Sequence, residues 1–288
     1  MSAACIGVFD SGVGGLSVLR ALLDALPGAP FRYVADSAHA PYGERSDAFV
    51  IERSLHMARH LQAHGAALLV VACNTATAAA VEALRSALPD LPIVGVEPGI
   101  KPALAITRNG RIGVMATRAT LASERFAALV RTQCGAAPVV VHLQACDGLA
   151  AAIERGDTDA PEVQALVLAH CRALSNRGVD TVVLGCTHYP FVAQRIQAAF
   201  GTAVRLIDTG AAVARQAARL WKQAPITEPV LVLQSTGDAG ALQHIARAWL
   251  GMLPRMGVEP MGPLQISLTP TRGHQRWDGT EERSSADA

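Results

Sequence analysis

Short apolar runs rich in β-branched residues alternate with segments of helical period along most of the chain, and this alternation limits the fold more than any other feature. The runs fall at 5–9, 31–35, 67–72, 93–96, 112–115, 139–143, 181–185, 204–207 and 230–234. Helical patterns lie between them at 15–26, 47–64, 76–88, 119–134, 148–154, 162–177, 191–200, 210–221 and 239–250. Strands joined by crossover helices pair in parallel and are covered on both faces, which is why they read as nearly continuous apolar runs. The expected class is α/β with mostly parallel sheets.

A faint duplication runs through this pattern. Asp10-Ser11 follows the first strand, Cys73 a later one, and Glu97-Pro98-Gly99 the next; Thr117, Cys186 and Asp208-Thr209-Gly210 repeat the order at similar spacing. The expectation is two similar α/β lobes, 1–97 with 210–261 and 98–209, facing each other across a cleft. Ligands of open α/β sheets bind beyond the carboxyl ends of the strands, so both cysteines would meet there. Beyond 262 the periodicity is lost among Pro, Arg, Ser and acidic residues, and 262–288 reads as a loose tail.

Several function classes are disfavoured. A net charge of +1 without a basic run argues against nucleic acid or an acidic membrane surface as partner. No apolar stretch is long enough to span a bilayer. A strand starting at Cys5 leaves no room for a signal peptide or a regulatory extension, so the expected location is cytoplasmic. The 6 cysteines are scattered and form no Cys-x-x-Cys, which speaks against disulfides and structural zinc. Only Lys101 and Lys222 occur among 25 basic residues, and neither follows a cofactor-binding motif. A pyridoxal enzyme needs a Schiff-base lysine, so a pyridoxal cofactor is disfavoured.

The chemistry-bearing positions sit at strand ends. Cys73 and Cys186 each close an apolar run and precede polar residues and a helical segment. A thiol at such a junction feels unpaired helix N–H groups, which favour thiolate. Asp10-Ser11-Gly12-Val13-Gly14-Gly15 contains half a dinucleotide fingerprint, with Asp36 placed like a ribose-binding acid, but Ser17 stands where the third glycine belongs. Asp10 would repel a pyrophosphate and is better suited to an ammonium group or to tuning a thiol. Pro41-Tyr42-Gly43-Glu44-Arg45-Ser46 taken alone is a turn into a helix, although such amides can bind carboxylate. His188, two residues after Cys186, can exchange a proton with it. Glu154 carries no local signal beyond a helix-end charge. His56, His60 and His64, with Glu52, read as a solvated helix face rather than a metal site.

Taken in order, Phe9-Asp10-Ser11-Gly12-Val13-Gly14-Gly15, Pro41-Tyr42-Gly43-Glu44-Arg45, Cys73-Asn74-Thr75-Ala76-Thr77, Gly95-Val96-Glu97-Pro98-Gly99 and Gly185-Cys186-Thr187-His188-Tyr189-Pro190 closely resemble the glutamate racemase family over about residues 5–260. Aspartate racemases share the two cysteines but usually carry an acid in place of His188. One departure is Cys146-Asp147, where the family often has Cys-Pro. The resemblance implies two pseudo-symmetric lobes and an isomerase that needs neither pyridoxal nor metal. It implies that Cys73 deprotonates D-glutamate and Cys186 the L-isomer, with Asp10, His188 and Glu154 assisting. Substrate contacts would fall to Asp10, Ser11, Tyr42, Gly43, Asn74, Thr75, Thr117, Thr120, Thr187 and His188. D-glutamate would feed bacterial peptidoglycan precursor synthesis, and a homodimer is compatible with the resemblance. A racemase for another acidic amino acid and a dinucleotide-binding oxidoreductase stay open as alternatives.

Overall fold

The computed structural model describes residues 4–226, 230–251 and 256–261. In chain order the strands are β1 (Cys5–Asp10), β2 (Phe31–Ala35), β3 (Ala66–Val71), β4 (Ile93–Gly95), β5 (Arg111–Ala116), β6 (Val140–Ala145), β7 (Thr181–Gly185), β8 (Arg205–Ile207), β9 (Leu231–Ser235) and β10 (Met256–Pro260). The helices are α1 (Leu16–Ala25), α2 (Asp47–Ala63), α3 (Asn74–Ala87), α4 (Ile100–Ile106), α5 (Arg118–Ala122), α6 (Glu124–Cys134), α7 (Leu149–Glu154), α8 (Pro161–Ser175), α9 (Ala193–Phe200), α10 (Gly210–Leu220) and α11 (Ala239–Leu250).

Two parallel sheets result, ordered β10-β9-β2-β1-β3-β4 and β6-β5-β7-β8. The run β2-β1-β3-β4 in the first matches β6-β5-β7-β8 in the second, so β1 corresponds to β5 and β3 to β7. That equivalence gives the sequence duplication a physical form: Cys73 follows β3 as Cys186 follows β7. Strands β9 and β10 extend the first sheet beyond β2.

Burial explains the strand composition. All six residues of β1 and all five of β7 are buried. One face of the first sheet packs Leu16, Leu19 and Leu22 of α1 with Val213 and Ala217 of α10 and Leu242 of α11. Its other face packs Met57 and Leu61 of α2 with Ala80 and Leu84 of α3. The second sheet is covered by Leu149, Val167 and Ile196 on one side and by Ile100 and Phe126 on the other. Helices on both faces leave only the strand ends open for chemistry.

Several sequence expectations require correction. The single helix expected at 119–134 is two, because Ser123 leaves the helical conformation and caps α6 with its hydroxyl, which accepts from Phe126 N at 3.1 Å. Helix α4 and strand β10 escaped the periodicity reading, since Pro102 interrupts the first and Gly257 and Pro260 the second. The stretch expected as one helix from 191 opens as a 3-10 turn, Tyr189–Val192, and α9 starts only at Ala193. The tail expected at 262–288 lies outside the described residues.

Candidate active site

Cys73 is the N-cap of α3. Its Sγ accepts from Ala76 N at 3.4 Å and its thiol donates to Ser11 Oγ at 3.7 Å. The expectation that helix amides hold it as a thiolate is overturned. Burial comes first and the charge of Asp10 second, and together they push the thiol up to about 12 against those two hydrogen bonds. Cys73 therefore rests as a thiol at neutral pH. Beside it, Asn74 is buried with its Nδ2 unpartnered among the described residues, a free donor at the head of the helix.

Cys186 follows β7 but, contrary to expectation, does not head an α-helix; a bend and the 3-10 turn separate it from α9. Its local partner is a side chain. His188 Nδ1 lies 3.6 Å from Cys186 Sγ, and His188 Nε2 lies 2.6 Å from Glu154 Oε2. Burial opposes a charged ring, yet the hydrogen bonds to Cys186 and Glu154 outweigh it and raise the pKa of His188 well above its ordinary value. Glu154, the last residue of α7, also accepts from Val13 N at 3.0 Å and from Ser37 Oγ at 3.3 Å.

Asp10 joins the two halves. Its Oδ1 accepts from Gly12 N at 2.8 Å and from Ser11 Oγ at 3.4 Å, and its Oδ2 accepts from Thr187 Oγ1 at 3.0 Å. The glycine turn serves close approach between lobes: a Cβ on Gly14 would stand 2.4 Å from His188 Nδ1, and one on Gly12 would stand 2.1 Å from Glu154 Oε1. Thr75 Oγ1 lies 3.0 Å from Thr117 Oγ1, which donates to Thr120 Oγ1 at 2.9 Å, so a hydroxyl cluster crosses the cleft. Gly43 also faces the second lobe, since a Cβ there would lie 2.8 Å from Thr117 Cβ. Charge on Cys186 adds a smaller upward push on the Cys73 thiol. From Asn74, Cys186 and Thr187 a cavity of about 290 Å³ runs toward Arg20, Asp24 and Thr209.

The carboxyl of Asp10 is pushed up to about 6 by burial, partly offset by the charge of His188. Between about pH 4 and 6 the folded protein keeps a proton that the unfolded chain has lost, so this group's contribution to stability falls as pH rises through that window. The cost above the window is on the order of 2–4 kcal/mol. Asp10→Asn is expected to melt higher than the parent at pH 7.5, with the advantage fading toward pH 4, as thermal melts across that range would show.

Not every singled-out position joins the site. The Tyr42 ring is buried and its hydroxyl donates to Asp36 at 2.6 Å, while the neighbouring Gly43 meets Thr117. Asp36 is engaged by Tyr42, Arg53 and Thr236, so its carboxylate is spoken for and the ribose reading loses its acid. His56, His60 and His64 are half-buried rather than solvated. The His60 ring lies tilted against His64, with centroids 4.2 Å apart, and meets Gln234 Oε1 at 2.8 Å, and no metal-holding group of three such side chains occurs among the described residues. Sequence reasoning passed over Arg53 and Ser37. Arg53 left a usable signal, a charge inside the buried stripe Val50, Ser54, Met57 and Leu61.

The pattern of the Asp/Glu/hydantoin racemase family matches residues 6–217. The glutamate racemase of Ectopseudomonas mendocina is 48% identical over 254 residues, covering 87% of this chain and 96% of the relative. Among solved structures, glutamate racemase isoform RacE1 from Bacillus anthracis superposes with a TM-score of 0.81 at 33% identity, covering 90% of this chain and 97% of that one. The Escherichia coli glutamate racemase, solved with L-glutamate and the activator UDP-MurNAc-ala, gives 0.76 at 31% identity, covering 90% and 98%. No helix among the described residues is long and apolar enough to cross a membrane.

Proposed function

Because the chain belongs to the Asp/Glu/hydantoin racemase family, we propose that it interconverts L- and D-glutamate with two cysteine bases on opposite faces of Cα. The observation that carries this reading is the placement of Cys73 and Cys186 at equivalent strand ends of two matching sheets, bridged by the hydrogen bond of Thr187 to Asp10 at 3.0 Å. In one direction the Cys186 thiolate takes the α-proton of L-glutamate while the Cys73 thiol delivers its proton to the opposite face. The reverse reaction exchanges the roles, so the proton count balances in every turnover. The lobes, taken as 1–97 with 210–261 and 98–209, would supply one base each.

The α-proton is very weakly acidic, so the surroundings must stabilise charge as it develops. Cys73 rests protonated, which suits it to donate first when L-glutamate is bound. The free Asn74 amide, the first amides of α3 and the backbone of the 41–43 turn offer donors to the substrate carboxylates. Asp10 and the hydroxyls of Ser11, Thr75, Thr117, Thr120 and Thr187 surround the remaining space. His188 can pass a proton to or from Cys186, steadied by Glu154. Lys101 and Lys222 are both exposed, so neither offers an amine for a Schiff base at the sulfurs. The D-glutamate formed would supply peptidoglycan precursor synthesis in the cytoplasm.

Circular dichroism of either isomer of glutamate and of aspartate, incubated with purified protein and no added cofactor, tests the substrate assignment. Both glutamate isomers should lose their signal at rates with equal kcat/KM, since enantiomers have equal free energy; aspartate should turn over at least about tenfold less efficiently. Stable signals for glutamate, or faster loss for aspartate, would contradict it.

A further inference from the structure

Asp36, just beyond β2, is fully buried and takes no part in the proton transfer derived above. Its Oδ1 accepts from Arg53 Nη2 at 2.8 Å and from Thr236 Oγ1 at 2.8 Å, and lies 3.0 Å from His39 Nδ1. Its Oδ2 accepts from Tyr42 Oη at 2.6 Å and from Arg53 Nε at 2.9 Å. A buried carboxylate held bidentately by a guanidinium has little freedom, and removing either partner leaves the other charge uncompensated. These bonds gather α2, the 41–43 turn and the loop after β9 onto one group.

Two arms lead from this group into the cleft. Through Tyr42 it holds the turn whose Gly43 abuts Thr117 across the lobes. Through the backbone it fixes Ser37, whose hydroxyl donates to Glu154 Oε1 at 3.3 Å, and Glu154 in turn meets His188. Thr236 strengthens the second arm, because its Oγ1 also accepts from Ala38 N at 3.2 Å. We propose that Arg53 is a positioning residue which, by clamping Asp36, seats the substrate-facing 41–43 turn and aims Ser37 at the Glu154–His188 pair. This rests on the racemase reading and extends it to a side chain that touches no reacting atom. The residue after β9, Thr236, is thereby delivered to the clamp.

The test uses full-length Arg53→Met, Arg53→Lys and Thr236→Val in hydrogen-exchange mass spectrometry, alongside glutamate kinetics. Amides of residues 37–46 should exchange about tenfold faster in Arg53→Met and less so in Arg53→Lys, while α8 keeps its wild-type rate. The KM for glutamate should rise about tenfold in Arg53→Met, more than kcat falls, with partial rescue by lysine. If Arg53→Met does not fold, Thr236→Val carries the test, and faster exchange confined to 37–46 supports the clamp. Unchanged exchange there in every folded variant, or a uniform rise across the chain with KM unaltered, overturns it. A wild-type protein that fails to racemise glutamate overturns the underlying reading instead, whereas unchanged exchange beside an active wild type removes the Arg53 clamp alone.

Discussion

Cys73→Ser and Cys186→Ser are each expected to lower glutamate racemisation by about 10⁴-fold or more. In the proposed mechanism each sulfur is the base in one direction and the acid in the other. Because the equilibrium constant between enantiomers is one, kcat/KM must fall equally from either isomer whichever cysteine is replaced. A serine hydroxyl surrenders its proton far less readily than a thiol, yet it changes the side chain by a single atom. Each position already has a polar partner for a hydroxyl, Ser11 Oγ beside Cys73 and His188 Nδ1 beside Cys186, so melting temperatures should move little and the loss can be read as chemistry. The double variant should cost little more than either single one, since neither base works without its counterpart. A single variant that kept more than about a tenth of wild-type kcat/KM would remove that residue from the proton path.

The second large effect concerns the chain from Cys186 through His188 to Glu154. His188→Asn is expected to lower kcat/KM by about 10²–10³-fold, because it removes the side chain that bridges Cys186 to the Glu154 carboxylate. Glu154→Gln keeps the shape but loses the charge that helps hold the His188 proton, and a loss of about 10–10² is expected. The two act in series, so the double variant should fall well short of the product of the single effects. Steady-state kinetics on the four proteins would check this. A multiplicative double variant would mean that Glu154 serves by accepting from Val13 N rather than by holding the histidine.

Strand positions were legible because parallel strands buried on both faces must be apolar throughout; β2 and β7 were bounded to the residue. Elements built from compromise were not. Helix α4 tolerates Pro102 in its first turn, and β10 lies at a sheet edge, where neither needs a regular apolar pattern. Within the site, the cysteines and His188 announced themselves by their place after an apolar run. Glu154 could not, since its role depends on contacts across 141 positions of chain to Val13 and 34 to His188; only the family resemblance drew it in. The protonation of Cys73 was misjudged for a related reason. The helix amides were visible in the sequence, but full burial and the nearby Asp10 charge are tertiary facts, and they outweigh the amides.

The most direct test of a two-sulfur exchange starts from L-glutamate in deuterated water and examines the first few per cent of conversion by mass spectrometry and chiral separation. A thiol carries one hydrogen, so a single sulfur serving both faces would hand the substrate's own hydrogen to the product. Two sulfurs predict D-glutamate carrying solvent deuterium at Cα while the remaining L-glutamate is still protiated. D-glutamate that retained the original hydrogen would contradict the account.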